Sequence, residues 1–79
     1  SVGANYMEAD GASTKRDFVH KIAICKKEAK ETKHWLRMIS KQNQKLKNKV
    51  LPLSNEAQEL ALIFSAIINS CRKSANICH

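Results

Sequence analysis

The sequence has little that would interrupt regular structure. It holds one proline and two glycines in 79 residues, too few for a linker-like or disordered chain. Long apolar runs are missing as well. The longest uncharged stretch, Leu60 to Cys71, has twelve residues, against the ~20 that a bilayer-spanning helix needs. No basic region followed by an apolar run stands near the start, so no secretory signal is expected. Three cysteines, Cys25, Cys71 and Cys78, make a poor disulfide framework. Cys71 and Cys78 lie about 10 Å apart along one predicted helix, too far to bridge. Reduced thiols and no membrane segment point to a cytoplasmic protein. Acidic residues are scarce, seven against fourteen Lys and Arg, for a formal charge of +7. An acidic partner is implied, nucleic acid or an anionic surface. A chain this short buries only about 60% of its unfolded surface. Without disulfides or metal, association with other chains is the expected support.

What is present is helical periodicity. Phe18, Ile22, Cys25, Ala29, Thr32, Leu36 and Ile39 recur in alternating steps of four and three, the seam of a helix packed at a shallow angle against others. Thr14 and Asp17 have capping-box spacing, with Asp in place of Glu and suited to the positive end of the helix dipole. A polar stretch, KQNQKLKNKVLPLSNE, follows. Pro52 is expected to stop a helix there, and Ser54 or Asn55 to cap the next. Ala57, Ala61, Phe64, Ile68, Cys71, Ala75 and Cys78 then repeat the four-three spacing, and Leu60, Ile63 and Ile67 widen the stripe. A stripe this wide is normally covered on more than one side. At the start, Val2, Tyr6 and Ala9 have helical spacing and Gly11 suits a left-handed helix stop. A phosphate loop would need a Gly-Lys-Ser/Thr ending and a preceding strand, and neither is there. The predicted helices span about 1–10, 14–44 and 55–76.

These residues resemble a known family. Ser1, Ala4, Asn5 and Glu8, then Gly11, Ser13 and Lys15, then Asp17 and Phe18, follow the pattern of bacterial four-helix-bundle proteins. That family was first noticed as reading frames within intervening sequences of 23S ribosomal RNA genes. Glu28, Ala29, Glu31, Thr32 and Leu36 extend the match, which is close over roughly the first 40 residues and loose in the last helix. The resemblance implies an all-α, antiparallel up-and-down four-helix bundle. This chain would supply the end of helix 2 plus helices 3 and 4, with about 40 residues of the first helix upstream. It also implies ring-shaped homopentamers. Most relatives have no established activity. One is the accessory subunit of the reverse transcriptase of diversity-generating retroelements, which binds that enzyme and nucleic acid. A reverse transcriptase, RNA and DNA are thereby candidate partners.

The residues themselves suggest a binding surface rather than a reaction. Lys26, Lys30, Lys33, Arg37 and Lys41 fall on one side of the long helix. Between Lys15 and Lys49 stand twelve basic and three acidic residues. Evenly spaced cations contact a phosphate backbone without base-specific geometry. The alternative is a plain solvated face, helped by Lys27 and Glu31 at helical pair spacing. Trp35 and Tyr6 can stack on bases, yet Trp35 flanks its seam and is expected at the core or a subunit interface. Phe18, Leu60, Ile63, Phe64 and Ile67 are expected to be structural or interfacial. Asn5 and Glu8, one turn apart, are expected to hydrogen-bond across to the next helix start. His20, His34 and His79 have no zinc-type spacing with the cysteines, so no metal or other cofactor is expected. No Ser/His/acid set or paired carboxylates suggest catalysis.

Two readings of different class remain. One is a non-enzymatic oligomeric adaptor contacting nucleic acid, or a nucleic-acid enzyme, through its basic helix face. The other is a structural self-assembling bundle that binds no nucleic acid. A helix-turn-helix DNA reader fits poorly, because the helix is too long and the connection around Pro52 exceeds the usual short turn.

Overall fold

The computed structural model describes residues 14–77. They form helix α1, Lys15–Gln42, a single 3₁₀ turn, Gln44–Leu46, and helix α2, Lys47–Ile77. The two helices pack antiparallel along their length, an all-α arrangement that forms part of an antiparallel four-helix bundle. The segment over 1–10, with Asn5, Tyr6 and Glu8, lies outside the described residues, as do Cys78 and His79.

Helix α1 begins where its first turn finds an acceptor. Thr14 is extended, and its Oγ1 accepts a 3.0 Å hydrogen bond from the Asp17 backbone N–H. Its carbonyl accepts from Phe18 N–H, also at 3.0 Å. Asp17 in the first turn and Lys41 in the last complement the helix dipole. Thr14→Ala is therefore expected to cost about 1 kcal/mol, and Thr14→Ser much less. Urea midpoints read the difference, and equal midpoints for parent and alanine variant would remove the cap from the account.

One asparagine both ends α1 and starts the connection. Asn43 leaves helical geometry at φ −138° and ψ 97°, while its N–H still donates to Ile39 O at 3.0 Å. Its side-chain Oδ1 accepts from Lys45 N–H at 3.1 Å, and its carbonyl from Leu46 N–H at 3.0 Å. An Asn side chain bonding the backbone two residues on is a local turn-former that competes with helix continuation. The chain reverses here within a few residues.

The start of α2 differs from the sequence expectation. The helix begins at Lys47 and carries Pro52 inside it, instead of starting after a cap at Ser54 or Asn55. Proline removes one i→i−4 bond and crowds the carbonyl four residues back, which here belongs to Asn48. Asn48 is exposed, so water can take the vacated acceptor site. The gain comes from burial: Val50 and Ser54, flanking Pro52, are both buried. The buried row thus runs Val50, Ser54, Ala57, Ala61, Phe64, Ile68, extending the four-three spacing back through a stretch that reads as linker.

The core is a narrow strip between the helices. Ile22, Cys25 and Ala29 of α1 pack with Ala61, Phe64 and Ile68 of α2, and Phe18, Val19 and Ile67 pack partly against them. Along α1 the seam drifts. Thr32 is exposed and bonds back to Glu28 O at 2.9 Å, Ile39 is 44% exposed, and Ser40 is buried in its place. A straight helix turns past a strict seven-residue repeat, which carries Ile39 out and Ser40 in. The buried Ser40 hydroxyl is satisfied by donating to Arg37 O at 2.8 Å.

The pair is only one helix thick. Its extents are 53 × 21 × 13 Å, the last close to the ~10–12 Å diameter of a helix with side chains. The accessible surface of the 8.9 kDa chain is 6017 Å², against roughly 4800 Å² for a compact monomer of that mass. Among the described residues no third helix covers either broad face of the hairpin, and the two faces differ in chemistry.

Candidate nucleic-acid interface

At roughly 100° per residue, the buried row Ile22, Cys25 and Ala29 separates α1 into two flanks. Lys26, Lys30, Lys33, Arg37 and Lys41 fall on one flank, with spacing of about one turn, ~5–6 Å. Lys30, Arg37 and Lys41 are exposed, and Lys26 and Lys33 are half-buried. Lys33 has a second occupation, because its Nζ donates to Gln58 Oε1 of α2 at 2.7 Å. That bond fixes which flank of α2 adjoins the basic stripe. It is the flank of Gln58 and Ser65, whose hydroxyl is satisfied by Ala61 O at 3.0 Å. Lys33 therefore ties the helices together as well as contributing charge.

The other flank of the hairpin is apolar. Ile39 of α1 lies on the side away from the lysines, and Leu53, Leu60, Ile63 and Ile67 of α2 lie on the side away from Gln58. Leu53, Leu60 and Ile63 are each 40% or more exposed, and Ile67 is half-buried. The sequence stripe is thus split: Phe64 is in the core and Phe18 packs partly against it, whereas Leu60 and Ile63 look outward. Exposed apolar area on this scale marks a contact surface.

A recess of about 680 Å³ runs over the outward side of α1, lined by Ala23, Lys26, Lys27, Lys30, Glu31, His34 and Trp35. His34 and Trp35 pack edge to face, with ring centroids 5.8 Å apart and planes at 67°. Trp35 is 59% exposed. Lys27 and His34 belong to this group too, and KKEAKETKHW places Lys27, Lys30, Glu31 and His34 at the three- and four-residue spacings that share a helix side.

The cysteines take packing positions. Cys25 is fully buried in the core, and burial, then the nearby Glu28 carboxylate, push its thiol above the ordinary range. Neither Cys25 nor the half-buried Cys71 is in a disulfide. Among the described residues no group of three or more His, Cys, Asp or Glu side chains is placed to hold a metal. None of the described helices is long and apolar enough to cross a membrane. A recognition-helix geometry is also unsupported. The connection is short, yet it joins helices of 28 and 31 residues packed side by side, with no short helix projecting to enter a groove.

Residues 1–66 match the model of the family described as 23S rRNA-intervening sequence protein. No curated protein and no solved structure matches the chain.

Proposed function

Since the chain belongs to the 23S rRNA-intervening sequence protein family, we propose that it acts by binding rather than by catalysis. On this reading it is a helical-bundle adaptor that assembles through its apolar flank and contacts nucleic acid through its basic one. The observation that carries the proposal is the segregation of the two flanks. An assembly that covers Ile39, Leu53, Leu60 and Ile63 leaves Lys26, Lys30, Arg37 and Lys41 in water, repeated once per subunit. Repetition converts weak phosphate contacts into avid ones. A pentamer, as the family resemblance implies, would present five stripes. A nucleic-acid enzyme such as a reverse transcriptase fits the same role as a protein partner, bringing its own nucleic acid to the basic surface.

A triple reversal, Lys30→Glu, Arg37→Glu and Lys41→Glu, tests this. All three side chains are exposed and Glu is as good a helix former as Lys or Arg, so the fold is expected to survive. Lys33 is kept because of its bond to Gln58. Affinity for RNA or DNA is expected to fall at least tenfold, and the log–log salt slope to flatten by about 2 to 3, with sedimentation unchanged. Tight binding that the reversal leaves intact would end the basic-face reading. Parent protein that binds no nucleic acid even at low salt would leave the self-assembling bundle, which the exposed apolar flank supports by itself.

A further inference from the structure

We propose that the recess beside Trp35 is a site for an unpaired nucleotide, so that the nucleic acid preferred by this chain is single-stranded. The inference rests on the basic-face reading and sharpens it. Three features converge on one side of α1. Lys26, Lys27 and Lys30 supply positive charge, Trp35 supplies a flat aromatic surface, and the recess of about 680 Å³ supplies room. Glu31 shares the recess and opposes a phosphate there, so three cations face one carboxylate. His34 meets Trp35 edge to face and so covers one side of the indole at most, in keeping with its 59% exposure.

Geometry separates single strands from duplexes. A base in a duplex has both faces stacked on neighbours, and only its edges reach a protein. An unpaired base can lay its face on an aromatic ring while its phosphates lie along a row of cations. On α1 the lysines precede Trp35 by five to nine positions, about 7–14 Å along the axis. A strand running along the helix therefore meets the three cations of the recess before it meets the indole. The stack tolerates any base, so this site sets strandedness and leaves sequence unread.

Trp35 is the one tryptophan of the chain, which makes its own emission the probe. The full chain is titrated at low salt with a labelled thymidine 20-mer, and separately with a hairpin duplex of equal phosphate number. Oligonucleotide anisotropy reports binding and Trp35 emission reports stacking. The expected result is that the single strand quenches most of the emission, while the duplex binds with little quenching. Trp35→Ala is expected to weaken single-strand binding by roughly fivefold to a hundredfold, the span of one base–aromatic stack, and to leave duplex binding alone. Trp35→Phe is expected to keep most of the affinity, and the parent's quenching needs no variant should the alanine chain fail to fold. Salt-dependent binding of both probes with Trp35 emission unmoved would overturn the stacking site and leave the basic face standing. Equal quenching by the duplex would overturn the strand preference. No binding of either probe would overturn both readings.

Discussion

Phe64→Ala is expected to remove about 3–5 kcal/mol of stability, enough to abolish the cooperative melt near room temperature. Phe64 is the largest side chain in the strip that joins the helices, and it is only 4% exposed. Truncation loses its transfer energy and leaves a cavity that two helices cannot easily close. Small domains hold few kcal/mol in reserve. Cys25, Ala29 and Ala61 of the same strip are too short to reach into the space left. Leu62→Ala is the matched control. Leu62 is 59% exposed, and its loss is expected to change stability by less than about 1 kcal/mol. Far-UV circular dichroism during urea titration measures both. Similar midpoints for the two variants would mean that the core lies elsewhere.

The second large effect concerns assembly. Leu60→Asp with Ile63→Asp is expected to convert an oligomer into monomers, and to cost several kcal/mol per subunit at micromolar protein. Leu60 and Ile63 stand next to the core strip but point off the hairpin, 40% and 52% exposed. If copies of the chain cover them, each aspartate would bury a charge without a partner, which association cannot compensate. The parent's melting temperature is expected to rise with protein concentration, as it must when association stabilises the fold. The double variant is expected to lose that dependence, with sedimentation equilibrium reporting a single small species. A double variant that sediments and melts like the parent would place the subunit contacts on another surface. The basic stripe would then have to be reconsidered too, since its free exposure is argued from the apolar flank being the covered one.

These expectations separate what periodicity can reveal from what it cannot. The α1 helix, its Thr14 start and the row Ile22, Cys25, Ala29 are legible because local rules produce them: a cap, a dipole, a four-three repeat. Pro52 misleads for the same reason. Its penalty is local and visible, whereas the compensation, the burial of Val50 and Ser54, depends on the fold and not on spacing alone. Ile39 and Ser40 exchange roles through a drift that is slight per turn and decisive after five of them. Leu60 and Phe64 look alike in the stripe, and only the position of α1 decides that one is inside and the other outside.

The sequence by itself determined that this chain is helical, that its helices have apolar seams, and that it carries a surplus of positive charge concentrated on the first long helix. Those properties follow from backbone propensity, from spacing along one helix, and from simple counting, none of which needs a neighbour. Tertiary structure alone decided which flank of that helix meets which flank of the next. The antiparallel pairing, pinned by Lys33 on Gln58, sets the basic stripe on one side and Ile39 with Leu53, Leu60 and Ile63 on the other. A helix presents its residues all around its axis, so the faces become different surfaces only when a second helix occupies one of them.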